Sequence, residues 1–179
     1  MIFVKSEREI DLMREPCAIV RDTLAAVGCA VRPGVSTAEL DRVAREYIRA
    51  RGAEPSCLGY CGYPASICAS VNEVIVHGIP SEDIVLKEGD IVSIDLCAYK
   101  NGFHGDGART FAVGAVSEEK QKLMRVTEEC FWKAVEHLRA GTPLYDIGAT
   151  VQAHAESNGF SVVREYVGHG IGREMHEDP

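Results

Sequence analysis

The stretch IVSIDLCAY (91–99), followed by Lys100, Asn101-Gly102 and FHGDGARTFAV (103–113), decides how this sequence folds. Residues 91–99 form an apolar run of the kind found in buried strands. Asn101-Gly102 is the strongest short-range signal for a two-residue hairpin turn, so 103–113 is expected to return as the antiparallel partner. That turn sets the register. Cys97 falls opposite Asp106, and Asp95 opposite Ala108. Asp95 and Asp106 are then diagonal neighbours on one face of the hairpin, about 7–8 Å apart at the backbone. A lone carboxylate in an apolar strand is costly unless it is paired, protonated or metal-bound. Two carboxylates aimed at one point repel each other, and one or two divalent cations resolve the repulsion. Separate solvation or a shared proton is the alternative; the pairing on one face beside His104 favours the metal.

Working outward, Ile10, Met13, Cys17, Val20 and Leu24 recur at helical spacing and predict a helix from Ser6 to about Val31, broken by Pro33-Gly34. Ser36-x-x-Glu39 has the form of a capping box and opens a second helix that runs to Arg51. Residues 55–65 (PSCLGYCGYPA) are too rich in Gly, Pro and Tyr for a helix and are read as a shaped loop. Residues 66–71 (SICASV) predict a strand, and 74–80 (VIVHGIP) a short strand ending in a turn. Beyond the hairpin, Ser117 caps a helix to about Arg139, and Pro143 starts another that stops at Asn158-Gly159. Residues 160–167 (FSVVREYV) predict a strand, and GHGIGREMHEDP closes the sequence.

Composition narrows the class. The chain has 179 residues, 46% hydrophobic and 26% charged, enough for one ordinary globular domain and too ordered in composition for a disordered chain. A net charge of −8 argues against a dedicated nucleic-acid binder, which needs a basic face. No stretch reaches the roughly 20 apolar residues of a membrane helix, and the N-terminus MIFVKSEREIDLM lacks the apolar core of a signal peptide. Seven cysteines at irregular spacing suit reduced thiols in the cytoplasm. Cys57-x-x-x-Cys61 invites a zinc reading, but no tightly spaced second pair follows, so buried thiols are preferred.

The histidines are less decisive. His169 lies between two glycines, His176 follows it, and His77 precedes Gly78; taken singly, each suits a satisfied or turn histidine as well as a ligand. Glu165, Glu174 and Glu177 are available carboxylates, and their spacing selects none of them. Two helices followed by strands (6–113) are followed by two helices and one strand (117–167). A second copy of that unit needs further strands, so a C-terminal truncation is expected.

The segments PGVSTAELD, CLGYCGYPASICASVNEVIVHGIP, IDLCAYKNGFHGDGARTFAVG and VVREYVGHGIGREMHEDP, in this order and spacing along nearly the whole chain, resemble type I methionine aminopeptidases of the short bacterial or organellar form. The resemblance implies an α/β (α+β) pita-bread fold: a curved antiparallel sheet with flanking helices, here with its second half incomplete. It implies a single catalytic domain over 1–179 that removes the initiator methionine from nascent proteins when the second residue is small. It implies two divalent ions, cobalt, manganese, iron or zinc, with a bridging hydroxide attacking the scissile carbonyl. By motif match, Asp95, Asp106 and His169 are metal ligands, and His77 and His176 catalytic contacts to the substrate. Cys57, Tyr60, Tyr63, Cys68 and Met175 would line the methionine pocket. Nascent N-termini are the implied partners, a ribosome contact is left open, and a cytoplasmic monomer without membrane attachment is expected.

The sequence departs from that family in three ways. Two further glutamates lie downstream of HEDP in the family. Cys61 stands where the family has His, and Met175 where it has an aromatic residue. The competing readings are a non-catalytic binding protein or inactive fragment on the same fold, or a hydrolase of X-Pro bonds or creatine. Retention of Asp95, Asp106, His169, His77 and His176 favours the enzyme, and CLGYCGYPASIC speaks against the last. Ile2 is bulky, so an enzyme of this specificity leaves its own Met1 in place.

Overall fold

A computed structural model describes residues 1–179 as two compact units. The first comprises Met1–Val116 and His169–Pro179; the second is Ser117–Gly168.

In the first unit, helix α1 (Glu7–Ala30) starts on a complete capping box: Glu9 N–H donates to Ser6 Oγ, and Ser6 N–H to Glu9 Oε2. Helix α2 (Thr37–Ala50) is capped by Ser36, which accepts from Glu39 N–H at 3.2 Å. Only half of the expected capping box forms there. Ser36 Oγ turns its own proton to Glu82 at 3.0 Å, and Glu39 pairs with Arg42 instead.

The sheet is antiparallel and centred on β3 (Ile91–Lys100). Strand β4 (Phe103–Ala112) runs along its full length on one side, while β2 (Ile67–Val71) and the two-residue β1 (Glu54–Pro55) share the other. The hairpin register is the one the Asn-Gly turn dictates: Cys97 pairs with Asp106 and Asp95 with Ala108, and Asn101 and Gly102 both take positive φ. Val92, Ile94, Leu96 and Ala98 face the core with Ile67 and Ala69, and α1 and α2 cover them through Ile19, Val20, Leu24, Val27, Leu40, Ala44 and Ile48. The opposite face carries Cys68 of β2, Asp95 and Cys97 of β3, and His104 and Asp106 of β4.

Two expected strands do not form. Residues 74–80 leave β2 in a turn, and His77 takes φ +58. The backbone of Gly78 is pressed on β2 instead, its carbonyl accepting from Ala69 N–H at 2.8 Å. A Cβ there would run into the Ala69 carbonyl, so only glycine fits. Residues 160–167 also form no strand. A strand is stable only when a neighbour satisfies its backbone, and an apolar run does not supply one.

The second unit is a helix pair, α3 (Glu118–His137) and α4 (Tyr145–Ser157). Val126, Cys130 and Ala155 are buried between them, with Val151, Phe160 and Val162 packed against the cluster. Phe160 and Val162 thus use their apolar side chains as a helix cover.

Candidate active site

Asp95 and Asp106 sit on the uncovered face of the hairpin because the pleat alternates. On β4 the residues between them and the core are glycines. A Cβ on Gly105 would meet Pro16 C and Cys17 N of α1 at 2.6 Å, and one on Gly107 would meet Val20 at 3.0 Å. The HGDG pattern therefore lets α1 lie directly on β4 while Asp106 points the other way. Burial pushes the Asp95 carboxyl up to about 6, and repulsion from Asp106 adds to it. The positive ends of His77 and His169 act in the opposite direction. Both imidazoles therefore lie near this carboxylate.

His169 arrives from the closing segment. Its Nε2 is 3.6 Å from Asp106 Oδ2, and its Nδ1 lies 2.9 Å from the Gly170 carbonyl. His176 stacks at a tilt on His169, with ring centroids 4.3 Å apart. Tyr60 hydroxyl lies 3.0 Å from His176 Nδ1. Around this cluster Cys68 pairs with Asp95 across β2 and β3, and Met175 is buried. Tyr63 hydroxyl donates to the carbonyls of Ile67 and Gly78, both at 3.1 Å. Burial, first, and the Cys68 thiol keep that phenol protonated well above its ordinary range. Burial likewise pushes the Cys68 thiol up to about 11, and Cys97 is held protonated by its hydrogen bond with Cys57 and by burial. The Cys68 and Cys97 thiols and the Tyr63 phenol beside the carboxylates are thus held neutral, whereas the hydrogen bond with Cys97 draws the Cys57 thiol below its ordinary range.

Of the residues singled out in the sequence, Cys57, Tyr60, Cys68, His77, Asp95, Asp106, His169 and His176 are brought together here, whereas Cys61 is exposed at φ +48 in the single 3₁₀ turn Tyr60–Gly62. All seven cysteines are unpaired. No group of three or more His, Cys, Asp and Glu side chains is closed into a ready metal cage. The donor chemistry fits a divalent cation all the same: two carboxylates and an imidazole converge, and Asp95 is pushed towards its protonated form first by burial and then by Asp106.

Sequence reasoning missed two residues, Ser56 and Lys5. Ser56 Oγ is 2.8 Å from His104 Nδ1, so the loop before the pocket is tied to β4. Lys5 is paired with Glu177, which removes that glutamate from the list of free ligands. A two-residue strand at 54–55 and an ion pair spanning 172 residues leave no local pattern to read.

The sequence model of metallopeptidase family M24 matches residues 11–179. This chain belongs to that family. Methionine aminopeptidase of Clostridium acetobutylicum is 54% identical over the whole chain, which spans 72% of that relative. Methionine aminopeptidase 1 of Bacillus subtilis is 49% identical over the same shares of the two chains. Among solved structures, methionine aminopeptidase from Thermotoga maritima superimposes with a TM-score of 0.98 at 41% identity, covering all of this chain and 72% of that one. The fold of this M24 chain is accordingly the pita-bread fold that the motifs imply. No helix of the M24 chain is long and apolar enough to cross a membrane.

Proposed function

We propose that this M24 chain removes N-terminal methionine from polypeptides whose second residue is small, with Asp95, Asp106 and His169 as the residues that would hold its metal. The observation that carries the reading is the diagonal Asp95–Asp106 pair with His169 Nε2 3.6 Å from Asp106, set in a thiol- and phenol-lined wall. Divalent cations bound there would polarise a carbonyl and lower the pKa of water. Cobalt, manganese, iron and zinc all suit two carboxylates and an imidazole.

The protein's own groups supply selectivity and orientation. Cys57, Cys68, Tyr60, Tyr63 and Met175 offer polarizable and aromatic contacts suited to a thioether. Keeping the Cys68 and Cys97 thiols and the Tyr63 phenol neutral avoids repelling the two acids. In this reading the Tyr60 hydroxyl, 3.0 Å from His176 Nδ1, donates to it, so that Nε2 would carry the proton and donate to the scissile carbonyl and to the oxyanion that forms from it. His77, whose imidazole acts electrostatically on Asp95, is the residue that would meet the substrate near the scissile amide. Nascent chains are the natural substrates of such a site.

The test is hydrolysis of Met-Ala-Ser by the purified chain with manganese or cobalt added, beside Asp95→Ala and an X-Pro dipeptide. Cleavage of Met-Ala-Ser that falls by about 10²-fold or more in Asp95→Ala supports the reading. Cleavage of the X-Pro dipeptide alone, or equal activity in the variant, overturns it.

A further inference from the structure

The closing loop that carries His169, Met175 and His176 is organised around one carboxylate. Gly170 and Glu177 close it with two backbone hydrogen bonds of 2.7 and 2.8 Å. Inside, Glu177 Oε1 accepts from the backbone N–H of Arg173 at 2.8 Å and of Glu174 at 3.2 Å. Its other oxygen takes the ammonium of Lys5. The two side chains are 10% and 19% exposed, so this pair is more shielded than the other long-range ion pairs of the chain. The loop is shaped to admit them. A Cβ on Gly172 would strike Glu177 Oε1 at 2.5 Å, Lys5 Cε at 2.6 Å and Lys5 Nζ at 2.8 Å. One on Gly170 would strike the Asp178 carbonyl.

Lys5 comes from an otherwise exposed segment. Met1, Ile2, Phe3 and Val4 are 89, 64, 64 and 91% exposed. Their only other tie to the loop is a solvent-exposed pair between the Met1 amine and Asp178. Lys5 immediately precedes the Ser6 cap of α1, which fixes where its side chain starts. Arg173 reinforces the same side, with its guanidinium over Phe103 at 4.7 Å and 3.1 Å from Glu9. Glu177 is next in sequence to His176, so a shift of the backbone at Glu177 also moves the point from which the imidazole projects.

We propose that Lys5 is a positioning residue: by neutralising Glu177, it holds the loop in the one arrangement that sets His176 against Tyr60 and His169 against Asp106. The inference rests on the roles given to His169 and His176 above. Without the ammonium, a shielded carboxylate keeps two backbone donors but loses its counter-charge. Water then competes for it, and the turn at 173–177 opens. A displacement of about 1 Å is enough to cost a hydrogen-bonding catalytic group most of its effect.

The experiment uses the full chain with Lys5→Met, which keeps the aliphatic length, and Lys5→Arg, which keeps the charge. Amide hydrogen exchange at Arg173 and Glu174 and the imidazole ¹⁵N resonances of His176 are followed by NMR without added metal. Steady-state kinetics on Met-Ala-Ser are followed with metal. Lys5→Met is expected to speed exchange at Arg173 and Glu174 by about tenfold while leaving β3 amides unchanged. It should also shift the His176 resonances and lower kcat by about tenfold with little change in KM. Lys5→Arg should restore all of these to near the parent values. Unaltered exchange and His176 resonances in Lys5→Met, or an Arg variant no better than the Met variant, would overturn the proposal. The NMR readouts decide the matter for Lys5 even where no variant, nor the parent, cleaves the peptide; that last result would instead count against the proposed reaction.

Discussion

Asp95 is the residue whose chemistry reaches furthest into the behaviour of the protein. Burial and Asp106 raise its carboxyl from an ordinary 3.8 to about 6. A raised acid binds its proton more tightly in the folded chain than in the unfolded one. Its contribution to stability is thus present below about pH 4 and lost as pH rises towards about 6. Metal-free Asp95→Asn should show a smaller fall in Tm across that window than the parent, and a Tm at pH 7 no lower. Identical slopes in the two melting series would count against the shared acidic site. Asp41 makes the opposite case, a buried acid that is fully engaged. It accepts from Ser66 N–H at 2.6 Å, Ile67 N–H at 3.1 Å and Arg45 at 2.6 Å. Asp41→Ala should cost about 2–4 kcal/mol in urea denaturation, since two buried amides lose their acceptor; a cost below about 1 kcal/mol would show that water replaces it. Residue-scale chemistry was legible where a turn fixes the register, as with Asp95 and Asp106. It was illegible where partners lie far apart in sequence: nothing near Glu177 announces Lys5.

At the scale of elements, the contact of α1 with β4 does most to position the site, and two glycines permit it. Gly105→Ala would place a Cβ at 2.6 Å from the Pro16 and Cys17 backbone, neither of which can yield without moving the helix. Gly107→Ala meets only the Val20 side chain at 3.0 Å, which can rotate. The first substitution should cost about 3 kcal/mol and the second about 1 kcal/mol, by thermal or urea unfolding. Gly105→Ala should also weaken metal binding, because Asp106 moves with the strand. Equal costs at the two positions would mean that α1 is not held rigidly against β4. The hairpin was readable because Asn-Gly, alternation and length agree over two adjacent strands. The same apolar cues misled at 74–80 and 160–167. Apolar content reports burial, whereas a strand also needs a hydrogen-bonding neighbour, and at 74–80 a glycine lets the backbone dock as a loop. The HGDG glycines were visible, but their reason lies in a helix some ninety residues earlier.

For the molecule as a whole, the two compact units differ in how much apolar surface each removes from water. The first has a continuous core over three strands and two helices, with Val27, Leu40, Ile48, Ile67, Val92, Ile94 and Leu96 wholly or almost wholly inaccessible. The second relies on Val126, Cys130 and Ala155 with three partly buried neighbours. Its large side chains Phe131, Trp132, Leu144 and Tyr145 are 59, 56, 59 and 74% exposed. Helix α4 begins on Leu144 with no side-chain cap, whereas α1, α2 and α3 each begin on a capping serine. A missing cap alone is worth about 1 kcal/mol, and each buried aliphatic side chain contributes about 1.5–3 kcal/mol. The helix pair should therefore open well before the sheet does. Native-state hydrogen exchange in low urea is expected to give α3 and α4 amides an opening free energy several kcal/mol below that of β3 and β4. Their exchange should also depend less steeply on urea, since less surface is exposed by opening a small unit. Exchange of all four elements along one isotherm would instead mean that the chain unfolds in a single step, with the small helical core stabilised by contacts beyond its own side chains.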